Sequence, residues 1–338
     1  MGRLITESYL SLVSWHKDNR AYYRGWLYAF FAGVFCVLGS TVLWAQEAQQ
    51  ATSHHLSTAS LKATSSKYPS RLWKIELEDH PGKIKPSYVL GTMHLPDKEV
   101  VNLPPHIDSI VASADLLCIE VILSDDAFKA LADLSTLKGK ETLSDLIGSR
   151  EFHAVSKVLQ PRGVTTHALE RLKPWAAALI MNYPPPSLDP ILDYSLQLRF
   201  RSGNRPVYQL ETAREQIQIF NQMAISDQIK FLRFSLQQQQ QFDFYLQQMK
   251  ALYLADDLDG LQALTEQQMA QTDQQFMELL LAELIDKRNL KMVDRMQMHL
   301  QQGNALIAIG ALHLTGDYGI LQLLSDFGYR VSPVLAKD

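Results

Sequence analysis

Two histidines occupy matching places far apart in the chain. In "YVLGTMHLPD", His94 follows Gly91 by three residues and leads into Leu95, Pro96 and Asp97; in "IAIGALHLTGD", His313 follows Gly310 in the same way and leads into Leu314 and Asp317. A G-x-x-H match is weak evidence by itself, since 16 glycines and 10 histidines yield on the order of half a chance occurrence. Context makes it stronger, because each histidine closes an apolar run of strand-like composition. In α/β sheets, ligands bind just beyond the carboxyl ends of strands. A glycine there turns the backbone without a Cβ in the way and sets the histidine at the rim. Two imidazoles meeting at such a rim form half of a metal site. Taken singly, either histidine reads as a satisfied structural residue.

A carboxylate completes the pattern. Glu120 sits in "LLCIEVIL", a run whose other members are apolar. An unpaired buried carboxylate costs several kcal/mol, so Glu120 needs a cation or donors. A metal shared with His94 and His313 is one answer, and an ion pair with Arg288 of "DKRNLKMVDRM" is the other. Both readings stand at this stage.

The elements that would position these residues follow from periodicity. "RLWKIELE" alternates apolar and charged residues, "HPGKIKP" turns, and "SYVLGTMH" returns, which predicts a β-hairpin. "PPHIDSIVASA" has helical spacing and "DLLCIEVIL" is a short apolar strand, so the patterning is α/β. Helices are predicted over "FKALADLS", "TLSDLIG", "EFHAVSKVL" and "PWAAALIMNY", and a strand over "RPVYQLE". Helix "TAREQIQIFNQM" opens an all-helical stretch that runs to Leu300. The chain then returns to strand, helix and strand through "ALIAIGALH", "YGILQLLSDFG" and "YRVSPVL". The expected fold is a central mixed β-sheet flanked by helices, with a long helical insertion, about residues 212–300, before the last strands.

Composition narrows the function classes. The chain of 338 residues carries a formal net charge of -4, and the part beyond residue 45 is more acidic still, because four basic and two acidic residues lie before it. That balance speaks against a nucleic-acid binder. Residues 25–45, "GWLYAFFAGVFCVLGSTVLWA", form an uncharged stretch long enough to span a bilayer. Arg3, Lys17, Arg20 and Arg24 precede it and no Lys or Arg follows until Lys62, so residues 1–24 are expected on the cytoplasmic side. The remainder is expected to be exported, either periplasmic after cleavage or anchored in the inner membrane and facing the periplasm. Residues 46–67 read as a flexible tether whose His54 and His55 are solvated, and residues 68–338 as the folded domain. Cys36 lies in the membrane segment and Cys118 in a core strand, so no disulfide is expected. The run Gln237 to Gln241 reads as a solvated helix face, and Met269, Met277 and Met292 as packing residues.

Six segments carry a family resemblance: "YVLGTMHLPD", "LCIEVIL", "LKPWAAAL", "RPVYQLETAREQIQIF", "KRNLKMVDRM" and "IAIGALHLTGDYGILQLLSDFGYRV". In this order, over nearly all of Arg71 to Val334, the chain resembles the TraB/PrgY/GumN family, whose animal members include the TIKI proteases. The resemblance implies an α/β fold related to erythromycin esterase and ChaN-like proteins, and a divalent-metal-dependent hydrolase, a metallopeptidase in the TIKI branch, acting on a peptide or protein. It implies His94, His313 and Glu120 as site residues and places the family's Arg-Asn motif on Arg288 and Asn289. Two departures stand out: Leu188 where relatives have glycine, and Ala311-Leu312 where a second glycine is frequent. On this reading His94, His313 and Glu120 bind the ion, or Glu120 serves as general base for a water of lowered pKa. Arg288 faces a developing oxyanion. Asp97 and Asp317 orient the histidines, and Glu211, which ends a strand and begins a helix, either supports the site or is a helix N-terminal carboxylate favoured by the dipole. Zinc, manganese and cobalt all suit such a set. A ligand-binding or scaffold protein of the cell envelope is the alternative.

Overall fold

The computed structural model describes residues 66–77, 84–184, 187, 189–269 and 274–336. The expected membrane segment, the tether up to residue 65, the His54–His55 pair, Cys36 and Leu188 lie outside the described residues. Among the described residues no helix is long and apolar enough to cross a membrane.

Six strands form one mixed sheet: β1 (Leu72–Leu77), β2 (Ser87–Thr92), β3 (Leu116–Ile119), β4 (Val207–Gln209), β5 (Ala305–Gly310) and β6 (Tyr329–Pro333). Their order across the sheet is β4-β3-β5-β2-β1-β6. β4, β3, β5 and β2 run parallel, whereas β1 lies antiparallel to both β2 and β6. The expected mixed α/β architecture is therefore present, and the expected hairpin is the β1–β2 pair, with Leu72 opposite Leu90. β5 is buried along its whole length and reads "ALIAIG" without alternation, as suits a strand covered on both faces.

Helices fill the intervals. Before β4 they are α1 (Lys98–Val101), α2 (Pro105–Ser113), α3 (Asp125–Ser135), α4 (Leu143–Ile147), α5 (Ser149–Leu159), α6 (Thr166–Glu170), α7 (Pro174–Met181) and α8 (Leu192–Ser202). After β4 come α9 (Ala213–Asn221), α10 (Ile225–Gln238), α11 (Phe242–Leu254), α12 (Leu258–Met269), α13 (Gln274–Leu281), α14 (Lys287–Gln302) and, beyond β5, α15 (Ile320–Asp326). The long helical insertion is thus α9 to α14. Its glutamine run does not lie wholly on a solvated face: Gln238 is buried, and Gln239 Nε2 donates to the Met181 carbonyl at 3.0 Å. Met277 and Met292 pack in the core as expected. Cys118 is a buried free thiol, its pKa pushed up to about 12 by burial.

Two apolar cores result. One surrounds the sheet and takes in β1, β2, β3, β5 and the inner faces of α2, α8, α11 and α14. The other is mainly helical, built from α3, α4, α5, α7, α9, α10 and α13 around Trp175, Phe220 and Phe231. Trp175 stacks on Phe220 with ring centroids 5.8 Å apart, and Phe220 on Phe231 at the same distance. The chain passes between these cores at revealing points. Ile119 belongs to the first and Val121 to the second, with Glu120 between them; Leu210 belongs to the first and Ala213 to the second, with Glu211 between. Likewise Leu284 lies in the helical core and Met292 in the sheet core, and Arg288 falls midway. Glu120, Glu211 and Arg288 occupy this seam.

Candidate functional site

Each of the four parallel strands delivers one polar side chain just beyond its carboxyl end. β2 ends at Thr92 and presents His94, β3 ends at Ile119 and presents Glu120, β4 ends at Gln209 and presents Glu211, and β5 ends at Gly310 and presents His313. The convergence follows from strand order, because β4, β3, β5 and β2 are consecutive neighbours. Backbone pairing continues past β3 and β4, with Leu210 N donating to Ile119 O and Glu211 N to Glu120 O, both at 2.8 Å.

Glu120 lies at the centre. Its Oε1 accepts from Gly310 N at 2.8 Å; its Oε2 accepts from Arg288 Nη2 at 2.5 Å and from Gln216 Nε2 at 3.2 Å. His94 Nε2 stands 3.8 Å from Oε1 and His313 Nε2 stands 4.0 Å from Oε2. Burial opposes the ionised carboxylate, but Arg288 and the two histidines outweigh it and hold Glu120 well below the usual carboxylate range.

Arg288 serves two carboxylates at once. Its Nε and Nη2 donate to Glu211 Oε2 at 2.9 and 2.8 Å, Nη2 also reaches Glu120, and Nη1 donates to the Leu284 carbonyl at 3.0 Å. Burial works against the guanidinium charge, yet Glu211 and Glu120 raise its pKa. The expected oxyanion role does not match this geometry, because every nitrogen of Arg288 is engaged within the protein. The helix N-terminal role of Glu211 does not hold either. Glu211 is 2 % exposed and paired with Arg288, while Glu215 is the acidic residue of the first turn of α9, in a capping box with Thr212. A π-helical turn, Ala282–Asp286, leads into α14 at this point; such turns recur at functional sites.

The histidines are held differently. His94 Nδ1 donates to Asp193 Oδ2 at 2.8 Å, and Thr92 Oγ1 donates to Asp193 Oδ1 at 3.0 Å. Burial alone would lower the pKa of His94, but the charge and hydrogen bond of Asp193, with Glu120 behind it, raise it to about 10. His313 is fully buried, and its pKa is lowered to about 3 by burial and then by the Arg288 charge. Its Nδ1 lies 2.6 Å from Asn289 Oδ1. Asn289 Nδ2 donates to the carbonyls of His313 and Tyr318, at 3.1 and 2.7 Å, which fixes the amide orientation and makes Oδ1 the acceptor. His313 therefore carries its proton on Nδ1 and its lone pair on Nε2, the nitrogen that faces Glu120.

The orienting roles expected of Asp97 and Asp317 fall to other residues. Asp97 caps α1 by accepting from Glu99 N at 2.8 Å and pairs with Lys250 at 2.6 Å, while Asp317 is exposed. Asp193, absent from the sequence-based candidates, is the carboxylate at His94. In the sequence it shows only as an acidic residue in the first turn of a helix, which does not distinguish it from a residue favoured by the helix dipole. Gly91 is required for close packing, since a Cβ there would lie 3.0 Å from Leu314 Cδ1 and 3.2 Å from Ala311 Cα.

Among the described residues no three His, Cys, Asp or Glu side chains already form an enclosing set for a metal ion. The donor chemistry nonetheless fits one: two imidazoles, each tied down through Nδ1, turn Nε2 toward one carboxylate.

The profile of the TraB/PrgY/gumN family matches residues 71–333. The uncharacterized protein YbaP of Shigella flexneri is 24% identical over 245 residues, covering 70% of this chain and 87% of its own length. YbaP of Escherichia coli K12 is 23% identical over 244 residues with the same coverage. A metalloprotease TIKI homolog of the sponge Amphimedon queenslandica is 24% identical over 337 residues, which is 83% of this chain and 63% of that protein. No solved structure matches.

Proposed function

The chain belongs to the TraB/PrgY/gumN family, and on that premise we propose that it is a divalent-metal-dependent hydrolase, a metallopeptidase acting outside the cytoplasmic membrane on a peptide or protein. One observation carries the reading. In the buried seam, three carboxylates, Glu120, Glu211 and Asp193, meet one guanidinium, Arg288, beside two imidazoles. With His94 neutral, as a metal ligand must be, such a cluster is two positive charges short; in the metal-free protein the proton that Asp193 and Glu120 hold on His94 covers one of them. A divalent ion supplies both, and His94 and His313 supply nitrogen donors for zinc, manganese or cobalt.

When bound, such an ion lowers the pKa of a water and polarises a carbonyl. The chain's own residues do the remaining work. His94 and His313 present Nε2. Glu120 Oε2 already accepts two hydrogen bonds, whereas Oε1 accepts one, from Gly310, so the remaining acceptor position of Glu120 is on Oε1, the oxygen nearer His94. That atom is the candidate third ligand or the base that accepts the proton of an attacking water. Arg288 keeps Glu120 ionised for either task. The peptide substrate class rests on the name of the sponge relative, and the placement outside the membrane on residues 25–45 with the basic residues before them.

The test is the metal content of the purified full-length protein, by plasma mass spectrometry, beside a His94→Ala/His313→Ala double variant. About one divalent ion per chain, lost in the variant, is the expected result. Absence of metal from the parent protein, even after incubation with zinc, manganese or cobalt, would overturn the reading. A peptide panel then checks turnover, which Glu120→Gln is expected to abolish.

A further inference from the structure

Asp193 is the second residue of α8, and its side chain is spent on one neighbouring element. Oδ1 takes the Thr92 hydroxyl at 3.0 Å and Oδ2 takes His94 Nδ1 at 2.8 Å, both donors coming from the end of β2. The group is largely enclosed, its side chain 12% exposed. Its position in the first helical turn favours the anion through the partial positive charge of the helix N-terminus. α8 opens without a side-chain cap at Ile191, so this acidic residue is not consumed in capping its own helix.

A carboxylate only accepts hydrogen bonds, so the nitrogen it faces must bear a proton. We propose that Asp193 is a positioning residue for His94: it fixes the ring so that Nδ1 always bears a proton and Nε2, the nitrogen freed when the ring gives up its second proton to an ion, is the one presented toward Glu120, and it does so while anchoring the strand end through Thr92. His313 reaches the same outcome through an amide, Asn289. Asp193 and Asn289 are thus paired devices on different helices, one anionic and one neutral, that turn two imidazoles to a common centre. The anionic member also raises the donor strength of the ring it holds, as carboxylates behind metal-binding histidines do. The consequence for metal affinity rests on the metal reading above; the ring orientation does not.

The experiment uses the full-length protein and the variants Asp193→Ala, Asp193→Asn and Thr92→Val. In the metal-free protein, proton NMR detects a slowly exchanging His94 Nδ1–H resonance, assigned by its loss in His94→Gln. The resonance is expected in the parent and in Thr92→Val and is expected to vanish in Asp193→Ala. Zinc affinity, measured by competition with a chromophoric chelator, is expected to fall about 10- to 100-fold in Asp193→Ala, with a smaller loss in Thr92→Val, while circular dichroism stays unchanged. Asp193→Asn keeps the side-chain shape and one acceptor oxygen and is the variant read if the alanine protein does not fold; weakened zinc binding with an intact fold is again expected. Persistence of the resonance in Asp193→Ala, or unchanged zinc affinity in a folded Asp193→Ala or Asp193→Asn variant, would overturn the assignment. A parent protein that binds no zinc yet loses the resonance in Asp193→Ala would sink the metal reading and leave the positioning role standing.

Discussion

His94 and His313 share a motif, a place at the end of a parallel strand and a common neighbour in Glu120, yet their surroundings push them in opposite directions. His94 rests on an anion, Asp193, and its pKa is raised to about 10. His313 rests on a neutral amide with the Arg288 charge close by, and its pKa is lowered to about 3. Desolvation lowers both, so burial does not explain the difference. The charge of the partner does: a carboxylate behind one ring outweighs burial, and a guanidinium near the other adds to it. Equivalent sequence motifs therefore yield a ring that keeps its proton and a ring that refuses one.

The sharpest way to break this comparison is to remove Arg288. Arg288→Met leaves Glu120 and Glu211 buried together without their cation and takes away the charge that helps depress His313. A stability loss of about 3–5 kcal/mol is expected in urea unfolding. Arg288→Lys is expected to recover only part of it, because an ammonium cannot fork between two carboxylates.

Exchanging the orienting groups comes next. Asn289→Asp gives His313 the kind of partner His94 has, so the His313 pKa is expected to rise from about 3, as followed by NMR titration of the metal-free protein. The same change removes the donor to the carbonyls of His313 and Tyr318. Leaving them unsatisfied is expected to lower stability by about 1–3 kcal/mol.

The contrast also predicts the pH dependence of the metal-free protein. His313 stays neutral in the fold, so between its folded value of about 3 and the ordinary value of 6.5 the unfolded chain binds more protons, and stability falls as pH falls through that window. His94, with a folded value of about 10, contributes stability that is complete below 6.5 and is lost as pH rises through 10. Urea midpoints across pH are expected to lose part of the acid limb in His313→Gln and part of the alkaline limb in His94→Gln.

The smallest expected effect is outside the seam. Lys250→Met breaks the pairs with Asp97 and Glu99, whose side chains are 28% and 70% exposed. The cost is expected to stay within about 1 kcal/mol in thermal unfolding, and metal content should not change. A loss of metal in this variant would show that the loop after His94 depends on the Asp97 pair and not on Asp193 alone.

Much of the fold was legible in the chain. The alternation in "RLWKIELE", the unbroken apolar run "ALIAIG" and the helical spacing from Ala213 to Gln302 report local burial, which depends on one element and its period. The histidines and Glu120 were legible for the same reason, as polar residues ending or interrupting apolar strands. Asp193 was not, because its meaning depends on α8 meeting the end of β2, a contact between residues about a hundred positions apart. Asp97 misled because it is near His94 in sequence, whereas its side chain turns to α1 and Lys250.

Residue types and periodicity alone thus determined the mixed α/β architecture and the strand-end placement of His94, Glu120 and His313. Tertiary structure decided which groups stand behind them: Asp193 for His94, Asn289 for His313, and Arg288 between Glu120 and Glu211. The reason is physical. Whether a side chain is buried is set largely by its own segment's pattern, but the charge it feels once buried is set by whichever segments pack against it. In the low-dielectric seam between two apolar cores, that charge decides where each proton sits.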